Sequence, residues 1–378
     1  MKSFDVAIAG GGLIGSSIAL ELASAGLRVG LFDRQEPGQE ASWASAGILS
    51  PAPESPAMIV LVPLGKASMA LYPDFVAMVE GLSGQKVGYR AKGTLEVLTS
   101  QHARAELSTI IALHHGLGLR AEPLSAVDAR ELEPALREDV EAAVLRPAEA
   151  AIDNRLLTQA ILASARRSGV EVFAGAGVDS LWREGHICKG LVAGGDRISA
   201  KHTVIAAGSF SAQIQGAESY APVRPAKGQM ISLLCPTVKI ERVLWGDEIY
   251  LVPRNGERVL AGATVEYVGF DKTLTAGGLR KLLSAAIDLV PALERAMVEE
   301  TWAGLRPDSP DHLPILGPAD LDGLVIATGH FRSGVLLTPI TAKLVREWIT
   351  LGNTSMDWER FSPMRFARVD KQNRATAK

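Results

Sequence analysis

With 378 residues, 47% hydrophobic and 21% charged, and a formal net charge of −3, the chain has the composition of a soluble globular protein with room for two cores. The near-neutral balance excludes nucleic acid as the main partner, because such binding rests on many phosphate-neutralising cations. Two cysteines, Cys188 and Cys235, give neither a disulfide framework nor a metal-ligand spacing and point to a reducing cytoplasm, and no run reaches the roughly 20 unbroken apolar residues of a membrane span.

Val6–Ala9 reads as a short buried strand and Leu13–Ala25 as a helix with apolar Leu13, Ile14, Ile18, Leu20 and Leu22. Asp5, the glycines, Glu21 and Arg28 break this apolar stretch, so it does not read as a signal peptide. Between strand and helix lies Gly10-x-Gly12-x-x-Gly15. Gly10 suits the tight turn, Gly12 the close pass of a pyrophosphate, and Gly15 the contact of helix on strand. The helix N-terminus adds free N–H groups and partial positive charge. Gly26 ends the helix, Arg28–Phe32 is a second strand, and Asp33 closes it where a carboxylate accepts from both ribose hydroxyls. A 2′-phosphate would be repelled there, although Arg34 leaves an NADP reading open. Strand, turn, helix, strand and acid in register point to a dinucleotide without separating NAD from FAD; the plainer reading is tight packing.

Residues 36–51 (EPGQEASWASAGILSP) suit a loop leading into a short helix along a long cofactor. Tyr72–Leu82 and Gln101–Leu117 read as helices and Val87–Leu98 as a strand. Leu156–Ser168 is helical, followed by strands at Val170–Phe173, Ser180–Trp182 and Thr203–Ala207. Residues 222–268 give several strands, Gly278–Leu289 a helix, Leu324–Ala327 a strand, and Ile340–Trp348 a last helix. The α/β signals interleave with mainly β segments. The pattern predicts an α/β protein: a Rossmann-like domain from 1–85, 145–220 and 300–361, interrupted by a mainly antiparallel β-sheet domain from 86–144 and 221–299. Residues 362–378 read as a loosely held tail.

GGGLIGSSIALELASAGLRVGLFDR, EASWASAGILSP, SGQKVGYRAKGTLEV, PVRPAKGQMI, IYLVPRNGERVLAGATVE, WAGLRPDSPDHLPILGP and GHFRSGVLLTP, in this order, resemble the glycine oxidase branch of the D-amino-acid oxidase family. The resemblance implies non-covalent FAD, oxidation of glycine or a related small amino acid to an imine, electrons passed to O2 to give hydrogen peroxide, a link to thiamine thiazole synthesis, and a homo-oligomer. Carried over residue by residue, Gly10, Gly12, Leu13, Ile14 and Gly15 match the pyrophosphate turn, and Asp33 and Arg34 the ribose edge. Ser42, Ala46, Gly47 and Ile48 match the loop along the flavin, and Val178 a backbone contact on the adenine side. Gly329, His330, Phe331, Arg332, Ser333, Gly334, Val335 and Leu336 match the turn beneath the isoalloxazine. Tyr250, Arg306 and Arg332 match the substrate binders. Asp33 stands where many members have Glu, Glu248 where some have His, and Val265 where others have Met or Leu; the last two bear on substrate size and charge.

The chemistry of these residue types agrees. Arg306 offers a planar fork that matches a carboxylate bidentately, and the Tyr250 phenol can donate to the same group. Arg332 adds positive field or a carbonyl acceptor for the amine. No triad, paired-carboxylate or metal site stands out, so no catalytic acid or base is nominated: the protein orients and stabilises charge. Plainer readings stay beside these: Arg306 paired with Asp308 or Asp311, Tyr250 a strand aromatic, Arg332 a structural cap, Trp43 packing, and His114–His115 a surface helix end. Competing functions are a same-fold dehydrogenase with another electron acceptor, an NAD-dependent dehydrogenase, and a non-catalytic flavin-binding subunit.

Overall fold

The computed structural model describes residues 2–100 and 102–366. Two eight-stranded sheets carry the architecture. The first has Lys2–Ala9 at its centre, parallel to Val29–Phe32 on one side and Asp196–Ile205 on the other. Glu171–Phe173 and Leu324–Thr328 extend it in parallel; Ile315–Pro318 closes one edge antiparallel. Where the sheet is covered on both faces its central strands are apolar and buried, at Val6–Ala9, Leu31, Phe32, Val204 and Ile205. Helices Leu13–Ser24, Val62–Ser83, Asn154–Arg167 and Thr338–Leu351 pack with it into one large core.

The second sheet runs in the order Met297–Asp308, Arg224–Leu234, Arg258–Gly262, Tyr250–Pro253, Val243–Trp245, Thr94–Leu98, Ala142–Arg146, Glu122–Ser125. Every pair is antiparallel except Val243–Trp245 with Thr94–Leu98. Helix Ala276–Leu289 packs against one face and forms a second core with it. This is the expected α/β fold with an interleaved, mainly antiparallel sheet. The strand Met297–Asp308 lies in the second sheet, so the boundary expected at residue 300 falls inside it; it pairs along its length with Arg224–Leu234. Arg306 therefore reaches the interior from the same sheet as Tyr250.

Other differences have local causes. The strand expected at Val87–Leu98 is confined to Thr94–Leu98, because Gly88 and Gly93 both take positive φ and bend the segment before it. The helix expected from Tyr72 begins at Val62 and carries Pro73 inside it. By length and mean hydropathy the stretch Pro56–Ser83 is capable of crossing a membrane, yet Leu64, Tyr72, Phe75 and Val79 are buried in the large core. His114 is buried rather than at the surface, with Nδ1 2.8 Å from the Ile110 carbonyl; His115 is exposed. The near end of the expected tail is anchored: Arg365 forms an ion pair with Asp311 at 2.8 Å and donates to the Leu313 carbonyl. Residues 367–378 lie outside the described residues.

Candidate active site

A cavity of about 950 Å³ runs between the two sheets. At one end lies the first glycine turn. Gly10 adopts φ +102°, and a Cβ there would sit 2.4 Å from the Ala206 carbonyl oxygen. A Cβ on Gly15 would meet the Gly10 oxygen at 1.9 Å, so helix and strand touch backbone to backbone; Gly15 packs beneath the turn and does not line the cavity. Leu13 N–H donates to Ser42 Oγ at 2.8 Å. Among the described residues, no protein group accepts from the N–H of Gly12, Ile14 or Gly15. Asp33 accepts from Gly11 N–H at 2.7 Å and Gln35 N–H at 3.1 Å, one on each oxygen. Burial pushes its carboxyl above the ordinary value, against the pull of those two amides. Arg34 pairs with Glu40 at 2.6 Å and lies 3.3 Å over the Phe210 ring, and Val178 lines the wall nearby.

The loop after the second strand is gripped by its carbonyls. Asn154 Nδ2 donates to Ser42 and Trp43, Trp302 Nε1 to Ala44 at 3.0 Å, and Arg254 to Ala46 at 2.6 Å. Ile152 N–H donates to Gly47 at 2.8 Å. Ser42, Ala46, Gly47 and Ile48 all face the cavity; Trp43 packs edge-on against Trp302 outside it. Burial lowers the Arg254 guanidinium to about 10, partly offset by Asp153.

The second turn, residues 329–336, forms the opposite wall. Tyr72 Oη donates to the Val335 carbonyl and Ser68 Oγ to that of Leu336, from the long helix Val62–Ser83. Phe331, at φ +47°, donates its N–H to Pro307, and Ser333 N–H donates to His330. Among the described residues the amides of Gly334, Val335 and Leu336 have no protein acceptor. His330 is buried with Nε2 3.1 Å from Thr341 Oγ1, and desolvation drives its pKa down to about 3, so it stays neutral. Gly329 packs against Ile315 behind the wall.

Strand alternation puts Trp302, Gly304 and Arg306 on one face of the strand, of which Gly304 and Arg306 line the cavity. A Cβ on Gly228 of the neighbouring strand would lie 2.4 Å from both terminal nitrogens of Arg306, so the guanidinium rests on bare backbone. Likewise Gly262 lies under Met230 and the Tyr250 ring. Among the described residues no carboxylate pairs with Arg306, whose one protein acceptor is the Thr264 carbonyl at 3.1 Å. Asp308 and Asp311, the partners of the plainer reading, are taken by Arg224, Tyr267 and His312 and by Arg365. Among the described residues, Tyr250 Oη donates only to the weak acceptor Met230 Sδ at 3.4 Å. Burial raises its phenol pKa while Arg306 pulls the other way.

Arg332 lines the cavity with its guanidinium paired to Glu54, a residue no sequence pattern marked. Glu248 lines the mouth and pairs with Lys281 at 3.3 Å. Val265 is 40% exposed and off the cavity, so its identity does not shape the wall. The Glu96–Arg146 pair also lines the cavity, and Arg254 and Asn154 hold the loop beside it; none of these was legible without the fold. Neither cysteine lines the cavity, and no group of His, Cys, Asp and Glu suited to a metal occurs among the described residues.

This geometry suits a long dinucleotide whose phosphates meet free amides at one turn and whose ring system meets free amides at the other. A family model described as FAD dependent oxidoreductase matches residues 5–348. The bifunctional protein ThiO/ThiG of Trichormus variabilis is 35% identical over 351 residues, 91% of this chain and 52% of its own length, so the chain spans about half of that relative. The glycine oxidase of Geobacillus kaustophilus is 32% identical over 365 residues, 95% of this chain and 96% of that one. Its crystal structure aligns with a TM-score of 0.91, covering 97% and 99% of the two chains. Iminodiacetate oxidase from Chelativorans sp. is 30% identical, with a TM-score of 0.85 over 95% and 98% of the two chains. Since the match passes through both sheets and both glycine turns, the chain belongs to the FAD dependent oxidoreductase family.

Proposed function

We propose that the chain is an FAD-dependent oxidase of glycine or of small D- or N-methyl amino acids. The observation that carries this reading is Arg306, a guanidinium facing the cavity with, among the described residues, a single backbone acceptor and no carboxylate. A cation held this way favours an anionic ligand, and its planar fork matches a carboxylate. The neutral Tyr250 phenol supplies a further donor to the same group. The proximity of Arg332 and Glu54 supports a site for an ammonium-bearing acid rather than a simple anion. The similarity to a glycine oxidase over nearly the whole of both chains favours a small substrate.

The residues present fit FAD. Free amides at Gly12 and Ile14 suit a pyrophosphate, Asp33 a ribose diol, and the amides of 334–336 a ring edge that becomes negative on reduction. Both cysteines are buried off the cavity, which supports non-covalent binding. FAD held there supplies a two-electron acceptor for the substrate α C–H bond. Arg306 and Tyr250 would fix the carboxylate and thereby aim that bond; this is catalysis by orientation, needing no side-chain base if the amine arrives deprotonated. Loss of the α hydrogen with its electron pair leaves an iminium, the protonated imine, which water converts to a 2-oxo acid and ammonia, or methylamine where the substrate is N-methylated. Dioxygen takes the two electrons and two protons as hydrogen peroxide. The name ThiO/ThiG of the bifunctional relative supports a link to thiamine thiazole formation, and a cytoplasmic homo-oligomer is part of the same reading.

The test is peroxide formation under air with glycine, sarcosine and D-alanine. One peroxide per 2-oxo acid is the expected result. Protein that is reduced by substrate yet stays reduced in air would replace the oxidase with a dehydrogenase using another acceptor.

A further inference from the structure

The strand Arg224–Leu234 carries the sequence Lys227-Gly228-Gln229, and alternation sends its two faces to different tasks. Gly228 faces the cavity beneath Arg306; Lys227 and Gln229 face away, toward the helix Ala276–Leu289. There they hold the segment that follows Gly262. Lys227 and Glu266 exchange both backbone hydrogen bonds, at 2.8 and 2.9 Å. The Glu266 carboxylate accepts from Thr264 Oγ1 at 2.5 Å, from Gln229 Nε2 at 2.8 Å and from Lys227 Nζ at 2.9 Å. Thr264 Oγ1 in turn accepts from Gln229 N–H at 3.0 Å. Lys227 Nζ also donates to the Thr273 carbonyl, and Gln229 Oε1 accepts from Thr275 N–H at the start of the helix. Thr264 is thus clamped through its hydroxyl, while its carbonyl receives Arg306 Nη1.

We infer that Glu266, paired with the buried Lys227, is a positioning residue that sets the aim of Arg306 through the Thr264 carbonyl. The inference rests on the reading of Arg306 as the anchor of the substrate carboxylate. The Arg306 stem leaves one strand and its head lies on a glycine of the next; beside the Tyr250 phenol, the Thr264 carbonyl is the fixed point that sets its plane. A fork binds two oxygens at once only when its plane is fixed, so one backbone acceptor in a fixed place decides how much of its strength the ligand receives. Burial works against the Glu266 charge, but the bonds from Thr264, Lys227 and Gln229 outweigh it and hold the carboxyl below its ordinary range. The clamp therefore stays ionised across neutral pH.

The experiment is a double-mutant cycle on the FAD-loaded protein, reading glycolate affinity from the perturbation of flavin absorbance. Glycolate presents the carboxylate of glycine without its amine. The four proteins are the wild type, Glu266→Gln, Arg306→Ala and the double variant. Glu266→Gln should weaken glycolate about tenfold when Arg306 is present and less than about twofold when it is absent, the non-additivity expected of a residue acting through another. In turnover it should raise KM by the same factor and leave kcat within about twofold. Because Glu266→Gln leaves the Lys227 cation buried without a counter-charge, the Lys227→Met/Glu266→Gln pair runs the same cycle if the single variant does not accumulate as folded protein. Equal losses in both Arg306 backgrounds, or no loss in either, would overturn the positioning role. An Arg306→Ala protein that binds glycolate as well as the wild type would instead overturn the reading of Arg306 itself.

Discussion

Gly228 lies directly beneath the guanidinium of Arg306, at a separation that leaves no room for a methyl group: a Cβ would stand 2.4 Å from both terminal nitrogens. Gly228→Ala should push the fork off its rest without touching the cofactor walls. We expect KM for the amino acid to rise about tenfold, the order of one lost charge-assisted hydrogen bond, with FAD content unchanged. Steady-state kinetics and the flavin-to-protein absorbance ratio check this.

Gly10 is the corresponding position at the other end of the cavity. Alanine there would have to adopt φ +102° and would meet the Ala206 carbonyl at 2.4 Å. Gly10→Ala should bind FAD about tenfold less tightly or worse, given a cost of about 1–3 kcal/mol for such a backbone. Equilibrium dialysis of FAD measures it. Tight yellow protein on purification would contradict the assignment of this turn.

Arg254 reaches from the second sheet to hold Ala46 and Asn154 beside the first. Arg254→Met keeps the stem and removes the donors, leaving the Ala46 carbonyl without its bond. FAD affinity should fall about tenfold while the KM of the reloaded enzyme changes little, because the loop and not the substrate fork is disturbed. FAD titration of the apoprotein checks the first half and kinetics at saturating FAD the second.

His330 gives a pH signature. Its imidazole stays neutral in the fold, with a pKa of about 3, while in the unfolded chain the ring titrates near 6.5. The stabilisation is complete above pH 6.5 and is lost as pH falls toward 3, because only the unfolded state takes up the proton. This ring alone should cost about 2 kcal/mol by pH 5. His330→Asn should be less stable at pH 7 but less sensitive to acid; urea unfolding midpoints at pH 7 and pH 5 for both proteins test the difference.

Much of this was legible in the sequence where the cause is local. Gly10, Gly12, Gly15 and Asp33 sit in the pattern that a strand, a turn and a helix impose, and each lies where that pattern puts it, between Lys2–Ala9 and Leu13–Ser24 or at the end of Val29–Phe32. The helix Ala126–Leu132 was not read: its Ser125–Asp128 capping box is a local signal, but so short an element offers no apolar periodicity. What stayed hidden is long-range. Whether Arg306 pairs with Asp308 or faces the cavity depends on Arg224, His312 and Tyr267 reaching that aspartate first. Glu54 finds Arg332 across nearly three hundred residues of chain, and Glu266 meets Lys227 only after the strands fold back. The strand predicted from Val87 failed because its alternation continues through Gly88, where the backbone turns away.

The central claim is that Arg306 anchors an amino acid by its carboxylate with the α C–H bond toward bound FAD. Anaerobic titration of the yellow protein tests it most directly. Glycine and sarcosine should bleach the flavin band fully, methylamine and ethylamine should not, and Arg306→Ala should need about 10- to 100-fold more glycine for the same bleaching. Equal bleaching by amines with and without a carboxylate, or an unchanged glycine requirement in Arg306→Ala, would contradict it.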